Sequence, residues 1–300
     1  MNKSFTLIEI LVVIVVIGIL SVFILVGMSS ITNSANVAKS KAFLNSMDNS
    51  LLLARVSQWK LDESSGITVY DSWGTNNGTR TDTTGACDAT HCPQIQTSGC
   101  VSNNCLFFDG TNDYVGFSHS SDHAGPSITV AGWVKTFSVH DWILVDKYRT
   151  EVGGACGWYI YGYVSGAYTV SSWVIWNNGV SSYLPFNQNF SNDVWYYLVG
   201  TFDSATSVQK NYINGVQKNT ATGKSLGITT ALGVRIGGQA QSLWTHGSID
   251  DVLIYNQAIP TSQIEQNYFV GINKLFKNNG ITLEEFDQRL IELKNNLANN

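Results

Sequence analysis

Charge is scarce in this chain. Only 13% of its 300 residues are Asp, Glu, Lys or Arg, and 17 basic side chains face 22 acidic ones. A disordered polymer would carry more charge and fewer aromatics than the 12% present. A nucleic-acid-binding surface needs an excess of Lys and Arg, which the formal charge of −5 denies. Proline occurs only four times, beside 27 Gly and 35 aromatic residues, a balance that points to β-rich globular structure. Signatures of catalysis are lacking too. The five His are scattered, with no His-Glu-x-x-His helix and no nucleophile elbow.

What is present is unevenly spread. Mean hydropathy is +0.00, and the excess sits at the N-terminus. Between Phe5 and Ala38 the only charged residue is Glu9. Residues 5–28 are otherwise apolar, and as a helix they would reach ~36 Å, enough to cross a bilayer core of ~30 Å. A cleaved secretory signal would have a shorter apolar stretch, of ~7–15 residues. A plain signal anchor, with Lys3 on the cytoplasmic side, accounts for the run but not for Glu9. A carboxylate one turn into such a helix needs a cationic partner. None exists within the segment, so the partner comes from another chain or from an amine made by processing.

Lys3-Ser4-Phe5-Thr6-Leu7-Ile8-Glu9 ahead of an unbroken apolar run resembles the processing site of type IV prepilins and pseudopilins. The resemblance implies cleavage by a prepilin peptidase between Ser4 and Phe5, and N-methylation of the new Phe5 amine. It also implies that Glu9 neutralises the amine of a neighbouring pilin subunit during filament assembly. Ser4 stands where that family usually has Gly, and the proline common near the end of the run is replaced by Val26-Gly27. Residues 1–4 are then a leader, 5–28 a transmembrane and assembly helix, and 29–56 an amphipathic stalk.

From residue 57 to 271 the pattern changes to short β-type runs, at 127–136, 157–164, 195–202 and 247–255, separated by Gly, Asn, Asp and Ser. Asn214-Gly215 between two such runs is a two-residue hairpin signal. Together the phrases Trp59-Lys60-Leu61-Asp62-Glu63, Phe107-Phe108-Asp109-Gly110 through Asp113-Tyr114-Val115, Val130-Ala131-Gly132-Trp133-Val134 and Ile249-Asp250-Asp251-Val252-Leu253-Ile254-Tyr255 resemble laminin-G-like, concanavalin A-like jelly rolls. The expected fold is mainly β: a long N-terminal α-helix, a concanavalin A-like β-sandwich over 57–271, and short C-terminal helices, the last an amphipathic one within 272–300.

The 57–271 segment holds 13 Asp and three Glu against nine Lys and Arg, a balance of −7. Glucanases of this fold carry a Glu-x-Asp-x-Glu strand, and no such string occurs here. Calcium takes six to eight oxygens, which Asp-rich loops can supply. In the resembled fold the first and last strands lie side by side, which would bring Asp62 near Asp250 or Asp251. Asp71, Asp109 and Asp113 are secondary calcium candidates. The same Asp residues can instead serve turns by accepting from backbone amides, and both readings stay open.

Strand alternation along 157–163 puts Trp158 and Ile160 on one face and Tyr159, Tyr161 and Tyr163 on the other. That row is either a core face or a platform for sugar rings. Trp142, Trp173, Trp176 and Trp244 are candidates for the rim of such a platform, whereas Trp133 and Trp195 sit in core-like motifs. Cys87, Cys92, Cys100 and Cys105 read as two short disulfides, 87–92 and 100–105, in a domain beyond the membrane; a nested pairing stays open. Cys156 is left over, a buried thiol or a link between subunits. Two capping boxes, Ser262–Glu265 and Thr282–Glu285, open C-terminal helices ending near Phe269 and Leu297. Leu283, Phe286, Leu290, Leu293 and Leu297 form a seam on the second.

The expectation is a surface subunit, held in the cytoplasmic membrane and then in an extracellular filament. It displays a lectin-like domain to carbohydrate or to another cell's surface and performs no catalysis. A purely structural pilin or pseudopilin, and a membrane-tethered carbohydrate-active enzyme, are the alternatives.

Overall fold

Turn chemistry and strand propensity alternate along the chain, and the result is a sandwich. The computed structural model describes residues 54–299, apart from 86, 89–90, 138–140, 152–153, 166–167, 229–231 and 239–242. The leader, Phe5, Glu9 and the stalk up to residue 53 lie outside the described residues. Among the described residues sixteen strands form two sheets of eight.

The first sheet runs in the order β14 (Val216–Ala221), β13 (Val208–Ile213), β12 (Tyr196–Asp203), β7 (Ile128–Thr136), β16 (His246–Tyr255), β5 (Cys105–Asp109) and β4 (Gln94–Gln96). The opening strand β1 (Arg55–Trp59) pairs antiparallel with β16, Trp59 facing Val252. The second sheet runs β11 (Val180–Pro185), β10 (Tyr168–Asn177), β9 (Gly154–Ser165), β8 (Trp142–Glu151), β15 (Arg235–Ile236), β6 (Tyr114–Phe117), β3 (Gly78–Thr81) and β2 (Thr68–Val69). The runs read from sequence are β7, β9, β12 and β16. The Asn214-Gly215 turn joins β13 to β14, with both residues at positive φ (52° and 80°), as a two-residue hairpin requires.

Trp59, Phe108, Trp142, Trp158 and Trp173 lead the core between the sheets. This corrects two of the rim candidates, because Trp142 and Trp173 are 1% and 0% exposed. Both alternate with residues that point the other way, and in a strand that alternation decides the face. Indole size alone carries no directional information.

β7 is buried on both sides. Ile128, Val130 and Val134 enter the inter-sheet core, while Trp133 points outward beneath α1 (Thr261–Lys277). Ile264, Tyr268, Gly271, Ile272 and Leu275 form the buried stripe of that helix. Tyr268 stacks on Trp133 at 5.7 Å. A Cβ on Gly271 would meet the Trp133 ring at 2.3 Å, so glycine sets how closely the helix approaches.

α1 runs eight residues beyond the end expected near Phe269, and the expected boundary at 271 falls inside it. Its N-cap is Pro260 with no side-chain cap bond, so the Ser262 box does not form. The second box does: Glu285 N donates to Thr282 Oγ1 at 3.1 Å at the start of α2 (Leu283–Asn299). In the Leu seam, Leu293 is buried, whereas Leu283 is 60% exposed.

Both short disulfides form, Cys87–Cys92 and Cys100–Cys105, and Cys156 is a buried free thiol. No helix among the described residues is long and apolar enough to cross a membrane.

Candidate functional site

The outer face of the second sheet gathers aromatics that the core does not use. Register across β8, β9, β10 and β11 aligns Asp146, Tyr159, Val174 and Tyr183 in one row. In another row Tyr148 and Trp176 flank Gly157. Gly157 has no side chain to separate them, and the two rings meet at 5.4 Å across it. Tyr159 packs edge-on against Tyr148 at 5.4 Å and Tyr161 at 5.2 Å. Tyr163 lies nearly parallel to Tyr161, with ring centres 5.9 Å apart and planes 12° apart. Tyr183 closes the band, 6.4 Å from Tyr161 and 6.3 Å from Trp176.

The band is layered by exposure. Tyr159 and Tyr161 are 2% and 8% exposed and form a bed with Ile143 and Val174. Tyr163 and Tyr183 stand above it, 37% and 49% exposed. Trp176 Nε1 donates to the Tyr159 hydroxyl at 3.3 Å and fixes the bed. Burial pushes the Tyr159 and Tyr161 phenols well above their ordinary range, so they stay neutral. The face therefore offers two flat rings on a rigid support, with hydroxyls that both donate and accept.

Tyr159, Tyr161 and Tyr163 thus share the face that their alternation indicates, outside the inter-sheet core. Tyr148 and Tyr183 escaped the sequence reading. For Tyr183 a signal existed, since Asn178-Gly179 is a second hairpin turn, with φ of 48° and 83°, and it sets Tyr183 opposite Val174. Trp176 joins the band, whereas Trp244 packs near Tyr114 at 6.5 Å.

The calcium candidates separate into two places. Antiparallel pairing of β1 with β16 brings Asp62 into the neighbourhood of Asp250 and Asp251, on a bulge of β16. Asp250 Oδ2 accepts from Val101 N and Ser102 N at 2.8 and 2.9 Å, inside the Cys100–Cys105 loop. Asp62 accepts from Asn103 and Asn104 of the same loop. Asp251 holds the Lys274 ammonium at 2.8 Å, so a lysine stands where a cation would sit. Elsewhere, Asp109 Oδ1 accepts from Thr111 N, and Asp113 Oδ2 from Asp109 N, in the turn after β5. Among the described residues no group of three or more Asp, Glu, His or Cys is arranged to hold a metal ion.

Buried titratable groups set a pH dependence. Burial lifts Asp113 and Asp146 to about 6, the latter against the pull of Arg235 at 2.7 Å. Burial and Asp251 also hold Asp250 well above the usual range. Burial, with Lys147, lowers His123 to about 4 beside Ser57. Between pH 6 and 4 the folded chain keeps protons on three carboxyls that the unfolded chain has released, and it lacks one that the unfolded chain holds on His123. Stability is therefore expected to rise as pH falls from about 6 to about 4. Calorimetry of the full chain should give a higher Tm at pH 5 than at pH 7. Asp146→Asn should flatten the dependence.

Comparison with known proteins bears on both ends of the chain. The family described as "Concanavalin A-like lectin/glucanases superfamily" matches residues 109–265. The "Prokaryotic N-terminal methylation motif" matches residues 1–25. No curated protein matches. Among solved structures, the binding domain of Paraclostridial Mosquitocidal Protein 1 superposes with a TM-score of 0.55 at 15% identity, over 74% of this chain and 53% of that one. The receptor binding domain of botulinum neurotoxin D gives 0.55 at 14%, over 74% and 54%. Domain 4 of AbnA, an extracellular arabinanase from Geobacillus stearothermophilus solved in complex with arabinotriose, gives 0.54 at 16%, over 71% and 97%. At these identities the likeness is one of fold, and the chain spans about half the length of the toxin domains it matches.

Proposed function

This chain belongs to the concanavalin A-like lectin/glucanase superfamily and carries a prokaryotic N-terminal methylation motif, and from that pairing we propose that it is a type IV pilin-like surface subunit whose jelly roll binds carbohydrate. The N-terminal segment, cut between Ser4 and Phe5 by a prepilin peptidase, inserts in the membrane and assembles with other subunits through Glu9. The jelly roll makes contact through the exposed rings of Tyr163 and Tyr183. The observation that carries the binding part is the layered tyrosine band, exposed on one side and rigidly supported on the other.

Sugar rings have C–H faces that stack on aromatics and hydroxyls that pair with phenols, so the band matches their chemistry. Arabinotriose bound to a domain of the same fold supports this ligand class. The mechanism is recognition. Glycoside hydrolysis normally uses two carboxyls flanking the bond, and Asp146, which the register places on this face, is fully buried against Arg235.

A glycan array probed with the full chain tests the proposal. The Tyr163→Ala/Tyr183→Ala double variant should bind about 10- to 100-fold more weakly, from two lost ring contacts. An array with no binding would favour the purely structural subunit, and binding indifferent to both substitutions would remove the tyrosine band as the site.

A further inference from the structure

We propose a second carbohydrate site, separate from the tyrosine band, in the cleft between α2 and the β13–β14 hairpin. The ligand class is a neutral oligosaccharide. The cleft has a volume of about 660 Å³, within the range of ordinary ligand pockets.

Two periodicities build its walls. Along α2, Glu285, Gln288, Glu292 and Asn295 recur at intervals of three and four, so they share one face of the helix. Across from them Asn214, Val216 and Lys218 alternate along the hairpin and turn one face the same way. The helix is fixed at two points. Arg289 is 7% exposed, donates to the Trp195 carbonyl at 3.0 Å and grips Glu285 at 2.8 Å. Leu293 packs beside Gly215, where an added Cβ would meet it at 3.1 Å. Between these anchors the polar stripe lines open space.

The lining selects a ligand by exclusion. Lys218 and Arg289 balance Glu285 and Glu292, so neither a cation nor an anion meets a net opposite charge. Ile213 and Val216 are the aliphatic side chains, too few for an apolar molecule. Five primary amides, on Gln188, Asn214, Gln288, Asn295 and Asn296, each both donate and accept. A chain of hydroxyls needs that mixture. The Tyr196 ring supplies one flat wall. Among the described residues the Asn296 Nδ2 donor finds no acceptor, a demand that a ligand hydroxyl meets.

Cross-linking mass spectrometry tests this on the full chain, in a detergent without a sugar headgroup. The probes are diazirine-tagged cellotriose, maltotriose and arabinotriose. Adducts are expected on peptides covering 213–218 and 285–296 with at least one probe. Gln288→Ala/Asn295→Ala, at two exposed positions, should lower their yield by at least about fivefold. Adducts confined to 154–185 would overturn the second site and leave the tyrosine band standing. Cleft adducts unchanged by the double variant would also overturn it. Adducts nowhere would overturn both sites.

Discussion

Replacing Glu9 by alanine is expected to remove the chain from surface filaments while leaving its amount in the membrane unchanged or higher. A carboxylate in an apolar helix opposes insertion, by about 2.5–3.5 kcal/mol at the helix centre and less near its start, so alanine inserts more readily. Loss from filaments therefore cannot be blamed on failed insertion. The amine freed at Phe5 is the partner the pilin resemblance implies, and an unpaired amine at every subunit junction would cost several kcal/mol in a low-dielectric bundle. Glu9→Gln should fail as alanine does, because it keeps the shape and loses the charge. Immunoblots of sheared filaments against the membrane fraction read the outcome. Normal incorporation of either variant would remove Glu9 from the assembly mechanism.

Replacing Gly271 by leucine should lift α1 off the first sheet. Even a Cβ would stand 2.3 Å from Trp133 Cζ2. The Trp133 ring has little room to retreat, being packed against Tyr197 at 5.2 Å and Tyr268 at 5.7 Å. The helix must move instead, uncovering Trp133, Tyr197 and the buried stripe from Ile264 to Leu275. Overpacking combined with lost burial is expected to cost about 3–5 kcal/mol. For a domain of this size that lowers Tm by roughly 10–15 °C, readable by calorimetry or circular dichroism. A loss of less than 1 kcal/mol would show that the helix is not seated on Trp133 as described.

The parts of the fold that were legible in sequence rest on local chemistry. Asn214-Gly215 specifies its hairpin because both residues tolerate positive φ. The strand runs β7, β9, β12 and β16 show β-branched and aromatic residues between turn formers. Cysteines five residues apart close the short loops they suggest. What escaped depends on partners distant in sequence. Whether an indole faces the core or the rim is a matter of which sheet face its strand buries, and Trp142 and Trp173 were misread for that reason. Ser262 has the spacing of a cap, but the chain already turns at Pro260. The tyrosine row is visible from alternation along β9, whereas Tyr148 joins it through the pairing of β8 with β9 and Tyr183 through the pairing of β11 with β10. From sequence the acidic residues fit either ion ligands or turn acceptors. The partners of Asp62, Asp250 and Asp251 are amides of the Cys100–Cys105 loop and the Lys274 ammonium, which lie 23 to 149 positions away in the chain.

We propose that one chain joins a filament through its N-terminus and presents a sugar-binding jelly roll outside the cell. Immunogold imaging of intact cells, with antibody raised against residues 57–271, tests it most directly. The predicted result is label arrayed along surface filaments. Label confined to the membrane, with filaments bare or absent, would contradict it.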